Sequence, residues 1–257
     1  SDNIYKNVNI FEKDGVWNNS SNWVTNNIPS ADDSHIIINA NAIIDGTVEV
    51  NSLTINEGKT LTLNEGAKLT VNGSFNNTDP DAFVINDGAQ VFQSNEDVAA
   101  TFIMDVINPD SWSSDNPQGW QFITSPVKDA PIADIIPADS QYDIYKYEGH
   151  QDLEWRNIKS DDNEFETKFV QGRGYLMSYE SETTACLKGN IYNDNTFLWD
   201  NLSFDADKDL ANFHLVGNPF AFDMDVDKLS FDDNMVNGLA IVTEEGGYQY
   251  DDISSIP

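Results

Sequence analysis

Leu53-Thr54-Ile55-Asn56-Glu57-Gly58, Leu61-Thr62-Leu63-Asn64-Glu65-Gly66 and Leu69-Thr70-Val71-Asn72-Gly73 follow one another as an eight-residue repeat. Each unit holds an apolar-Thr-apolar triplet, which as a strand puts its side chains alternately on two faces. Each then bends at Asn and Gly, where glycine can take positive φ. Such units cannot bury an apolar face singly; stacked, they build a continuous core with coils about 4.8 Å apart. After the interrupting segment Asn76-Asn77-Thr78-Asp79-Pro80-Asp81 the scheme returns in Phe83-Val84-Ile85-Asn86-Asp87-Gly88-Ala89-Gln90-Val91-Phe92. The stretch predicts an all-β fold that begins with a short right-handed parallel β-solenoid (β-helix). A hairpin-built sandwich is the alternative, because Asn-Gly corners also make β-turns.

Upstream, Gly15-Val16-Trp17-Asn18-Asn19-Ser20-Ser21-Asn22-Trp23 precedes Ile28-Pro29 and the strand-like run Ile36-Ile37-Ile38. An open solenoid end must be covered or it pairs with other chains, so Trp17 and Trp23 are expected to form an aromatic cap rather than a sugar-stacking platform. Downstream, Asn108-Pro109-Asp110-Ser111-Trp112-Ser113-Ser114-Asp115-Asn116-Pro117 is turn-rich. A domain boundary is expected near residue 110, giving a solenoid over 1–110 and a second domain over 111–257.

The second half repeats itself. Gly119-Trp120-Gln121-Phe122-Ile123-Thr124-Ser125-Pro126 matches Asn212-Phe213-His214-Leu215-Val216-Gly217-Asn218-Pro219-Phe220 in pattern. Each is an aromatic-led alternating strand closed by proline. Each is followed by a short helical start, at Ala130 to Ile135 and at Asp225 to Leu229. Alternating strands come next, Tyr142-Asp143-Ile144-Tyr145-Lys146-Tyr147 and Gly238-Leu239-Ala240-Ile241-Val242. The expectation is a β-sandwich of two related units, 119–190 and 212–257.

The formal net charge is −31, from 44 acidic against 13 basic residues, and the arginines are Arg156 and Arg173. Binding to nucleic acid or to anionic membranes needs clustered Lys or Arg and is disfavoured. No apolar run approaches the roughly 20 residues of a membrane-spanning helix, so membrane insertion is not expected. Cys186 is the single cysteine. It cannot form an intrachain disulfide and reads as an apolar residue of Thr184-Ala185-Cys186-Leu187.

Gly15-x-Trp17, Asn22-Trp23, Pro29 and Asp33, followed by Ile36-Ile37-Ile38 and the Leu-Thr-Ile-Asn-Glu-Gly ladder, resemble the N-terminal region of large secreted or cell-surface proteins of Bacteroidota. Such proteins are typically exported by the type IX secretion system. Gly119-Trp120…Ser125-Pro126-Val127, Tyr142 to Tyr147, Gly172-Arg173-Gly174-Tyr175-Leu176 and Leu215-Val216-Gly217-Asn218-Pro219-Phe220 resemble the β-sandwich region before their sorting domain. The resemblance implies an extracellular or cell-surface location, an adhesion or structural-display role, and the type IX machinery as a partner. It carries no enzymatic assignment. In the first unit a Gly-rich strand, 171–176, follows Tyr147, whereas the second unit stops at Pro257 without its counterpart. The expectation is a fragment or processed form with an unpaired edge there.

Two sites suggest themselves. Asp205, Asp207 and Asp209 alternate carboxylates along one loop, a donor set suited to calcium. They are not an EF-hand, since Leu210 and Val216 stand where that loop needs Gly and Glu; the plain alternative is a solvated acidic loop. Similarly spaced, Asp223, Asp225 and Asp227 read as a helix start with Asp225 as N-cap. Trp155 and Tyr175 are the candidate rings for an extracellular glycan. Tyr145 and Tyr147 share a strand face with Asp143, while Ile144 lies opposite with Tyr142 and Lys146, so neither face of that strand alone makes a clean aromatic platform. No Ser-His-Asp, metal-ligand or phosphate-loop motif stands out, and carboxylate pairs in so acidic a chain are no sign of glycosidase geometry. The function expected is a non-catalytic extracellular surface protein. The alternative is a carbohydrate-binding module of a larger secreted polysaccharide-degrading enzyme.

Overall fold

The computed structural model describes residues 8–31, 35–106, 112–149, 154–161, 165–192, 196–200, 202, 213–231, 233, 238–242 and 248–252. The chain is all-β and forms several sheets. It divides into two compact units, Ser1–Phe222 and Asp223–Pro257.

The first half is a run of short strands: β1 (Val8–Phe11), β2 (Gly15–Val16), β3 (His35–Ile38), β4 (Ala42–Ile44), β5 (Thr47–Val50) and β6 (Leu53–Ile55). It continues with β7 (Leu61–Leu63), β8 (Lys68–Val71), β9 (Phe75–Asn76), β10 (Phe83–Ile85), β11 (Gln90–Phe92) and β12 (Ala99–Val106). They pair in parallel within three sheets, ordered β1-β3-β6-β9, β2-β4-β7-β10-β12 and β5-β8-β11. Units adjacent in sequence therefore lie in different sheets. Leu53 stands beside Phe75, Leu61 beside Phe83 and Lys68 beside Gln90, each partner 22 positions on.

Alternation places the first and third residue of each triplet inside. Leu53, Leu61, Leu63, Leu69, Phe83 and Ile85 are fully buried in one continuous core. Gly58, Gly66 and Gly88 take φ of 69°, 75° and 72°, the left-handed corner expected of them. The asparagines beside them bond along the stack: Asn56 Nδ2 donates to Asn39 Oδ1 at 3.0 Å, Asn64 Nδ2 to Asp45 Oδ1, and Asn86 Nδ2 to Asn64 Oδ1 at 3.4 Å. A repeated corner Asn thus satisfies its neighbour in the next layer.

Edge strands at both ends of the parallel array have partners. At the start, Phe11, Trp17 and Trp23 form one buried aromatic cluster. Residues 22–24 run antiparallel along β1, with Glu12 N donating to Asn22 O at 2.8 Å and Val24 N to Ile10 O at 3.0 Å. At the other end β12 pairs antiparallel over its whole length with β18 (Thr183–Ile191), from Ala99 opposite Asn190 to Val106 opposite Thr183. Val91 N donates to Ala221 O at 2.7 Å beside β11. These bonds run from the strands before residue 110 to those after it. The division into two compact units falls after Phe222.

Beyond β12 come β13 (Gln121–Ile123), β14 (Val127–Lys128), a 3-10 turn at Ile132–Ile135, β15 (Tyr142–Tyr147), β16 (Trp155–Asn157) and β17 (Tyr175–Tyr179). β14 pairs with β18, while β13-β17-β15-β16 make an antiparallel four-stranded sheet. The Asp223–Pro257 unit holds a 3-10 turn at Val226–Lys228 and the antiparallel pair β19 (Gly238–Val242) and β20 (Tyr248–Asp252). Its order of turn, strand and returning strand matches Ile132–Ile135, β15 and β16. The carboxylate of Asp225 accepts from Asp227 N at 3.1 Å, the capping role expected of it, although only one 3-10 turn follows.

Candidate functional site

The four-stranded sheet has two very different faces, which the register assigns. Ile123, Tyr175 and Lys146 lie side by side on the inner face, as do Met177 and Ile144, and then Tyr179 with Tyr142. All but Tyr142 are buried. Tyr179 donates its hydroxyl to Ile135 O at 2.5 Å, which pins this face to the 3-10 turn. Lys146 is buried there among opposite charges, its Nζ 2.9 Å from Glu148 and 3.6 Å from Glu166. Arg173 also pairs with Glu166, and Arg156 lies 3.7 Å from Glu148.

Tyr175 belongs to this inner face with no exposed surface. Its ring packs edge-on against Phe169 at 5.1 Å and its hydroxyl accepts from Val170 N at 3.0 Å. Burial pushes its pKa up to about 12. The glycan contact expected of Tyr175 is corrected accordingly, because no ring face is open to a ligand. Gly172-Arg173-Gly174-Tyr175-Leu176 does not say which way the strand is turned; the pairing of β17 with β13 and β15 does.

The outer face carries Trp120, Phe122, Leu176, Tyr145, Tyr147 and Trp155. Phe122, Leu176, Tyr145 and Asn157 stand in one row across all four strands. Tyr147 is directly opposite Trp155, their rings 5.1 Å apart at 66°. Trp120 meets Tyr145 at 5.6 Å and 63°. Trp120 is 40 % and Phe122 43 % exposed, and the others are half-buried. Trp155 is a half-buried ring of this outer face, packed against Tyr147. The outward faces of antiparallel sheets usually carry polar residues; here the face is mostly aromatic. Its carboxylate, Asp143, is 9 % exposed and accepts from Asn157 Nδ2 at 2.6 Å.

The segment Tyr142 to Tyr147 does not by itself disclose this surface. One face of a three-tyrosine strand is unremarkable until Trp120 and Phe122 arrive from β13 and Trp155 from β16. The aromatic lead of the Gly119-Trp120-Gln121-Phe122 repeat was the available signal.

Asp205, Asp207 and Asp209 lie outside the described residues. Among the described residues no group of three His, Cys, Asp or Glu side chains is arranged to hold a metal ion, and no helix is long and apolar enough to cross a membrane. Cys186 is half-buried on β18 opposite Ile103. Trp17 and Trp23 are each 2 % exposed, so neither presents a ring face to a ligand.

No curated protein and no solved structure matches the chain. A family model does match, over residues 12–244, and the chain belongs to that family, described as a domain of unknown function (DUF8693).

Proposed function

We propose that this is a non-catalytic extracellular surface protein with an adhesion or structural-display role, exported by the type IX machinery as its sequence resemblance implies. In this proposal the parallel strands up to Val106 are a short right-handed β-solenoid serving as a stiff support. The strands after them are a β-sandwich of two related units that carries the recognition surface. The observation that carries the proposal is the half-exposed aromatic face of β13-β17-β15-β16, beside parallel strands whose edge members β1 and β12 are both paired. Paired edge strands resist edge-to-edge association, and a large apolar surface left open on such a support marks an interaction site.

The same face favours a second reading, a carbohydrate-binding module of a larger polysaccharide-degrading enzyme. The test is to locate the full-length gene product in the organism that encodes it, by surface proteolysis of intact cells, and to assay its secreted form for polysaccharide hydrolysis. Surface exposure without hydrolysis supports the adhesion role. Hydrolysis by a fused domain moves the assignment to the module, and retention in the cytoplasm overturns both.

A further inference from the structure

We infer that the outer face of the β13-β17-β15-β16 sheet is a binding site for a neutral polysaccharide, with Phe122, Tyr145, Tyr147 and Trp155 as its stacking surface. The inference rests on the surface role proposed above and gives it a ligand class. Three features of the face point to one occupant.

The first is charge. A chain of net −31 repels nucleic acid, uronate polymers, anionic lipid and a second copy of itself. A cationic partner would need free carboxylates, yet Asp143 is nearly buried and already engaged by Asn157 and by Lys159, whose Nζ lies 3.5 Å away. The stacking residues themselves are uncharged.

The second is chemistry. Sugar rings are amphipathic, with an apolar C–H face and a rim of hydroxyls. Half-exposed Tyr and Trp rings match both parts, since each has an apolar body and a polar tip. The edge-to-face contacts of Trp120 with Tyr145 and of Tyr147 with Trp155 hold the rings in place before a ligand arrives, which lowers the ordering cost of binding.

The third is extent. The row from Phe122 to Asn157 crosses three inter-strand spacings of about 4.8 Å, roughly 14 Å in all. That length suits several linked sugars better than one.

The test is affinity electrophoresis of the full chain through gels containing hydroxyethylcellulose, laminarin, galactomannan or soluble starch, with polygalacturonate as the anionic comparison. Retardation by at least one neutral polymer is expected. It should be lost in Phe122→Ala and in Trp155→Ala, each checked for native circular dichroism, and kept in Leu198→Ala, which alters an apolar side chain 77 % exposed elsewhere. Trp155→Phe keeps an aromatic ring and should retain part of the retardation, which separates ring loss from misfolding. No retardation by any neutral polymer, retardation unchanged in both alanine variants, or retardation by polygalacturonate alone overturns the inference. So does concentration-dependent dimerisation abolished by Phe122→Ala, which would make the occupant a second copy. Failure here leaves surface display standing, whereas a cytoplasmic location would end the surface role without touching the binding result.

Discussion

Trp23 donates its indole Nε1–H to the carbonyl oxygen of Trp17 at 2.9 Å, and the two rings meet edge to face with centroids 4.7 Å apart. This bond ties the segment that covers β1 to the first layer of the stack. Trp23→Ala should cost about 3–5 kcal/mol, the usual penalty for emptying a buried aromatic site, read as a lower urea midpoint. It should also promote concentration-dependent association in light scattering, because the edge of β1 is no longer covered.

Leu61 has Ala42 on one side and Phe83 on the other in successive layers and is fully buried. Leu61→Ala should destabilise the chain by about 2–5 kcal/mol. Thr62→Val, on the half-buried outward position of the same strand, should change the urea midpoint little. Equal losses from both would contradict the assignment of inner and outer faces.

Two glycines separate backbone strain from steric exclusion. A Cβ on Gly66 would meet open space, so Gly66→Ala should cost only the left-handed conformation, about 1–2 kcal/mol. A Cβ on Gly189 would stand 2.1 Å from Lys128 O, where β14 crosses β18. Gly189→Ala should force β14 away at about 1–3 kcal/mol, with faster amide exchange at Tyr192, whose N donates to Pro126 O at 3.4 Å, as the specific sign.

Lys146 is buried between Glu148 and Glu166, with its ammonium 5.5 Å from the Phe165 ring. Lys146→Met leaves Glu148 with Arg156 and Glu166 with Arg173 as their remaining cations and should cost about 1–3 kcal/mol in chemical denaturation. Replacing Glu148 and Glu166 by Gln in the same chain should recover part of that loss.

Tyr175 should give the protein an alkaline limit. Its folded pKa, raised to about 12 by burial, lies above the unfolded value of 10. The stabilisation is therefore complete below pH 10 and is lost as pH rises through about 12, because the unfolded chain releases the proton first. Tyr175→Phe should flatten the fall in thermal midpoint over this range, and tyrosinate absorbance should show one fewer late-titrating group.

The order of the first half was legible in the sequence because its signals are local. Triplet alternation, Asn-Gly corners and two tryptophans before the first long apolar run each act within a few residues, and they specify strand, left-handed corner and cap in turn. The regular spacing hid one thing. Units eight residues apart lie in different sheets, while the partners in contact lie 22 positions on, as Leu53 and Phe75 do.

The second half was harder to read. Whether Tyr175 faces inward or outward depends on which strands flank β17, and the covering of the stack depends on the antiparallel pairing of Phe102 with Leu187. The sequence by itself determined the strand pattern, the glycine corners and the acidity of the chain. The tertiary structure alone decided that Tyr175 is core and that Trp120, Phe122, Tyr145, Tyr147 and Trp155 share one surface. The reason is that a face is a property of paired strands: its members are distant in sequence, and only register brings them side by side.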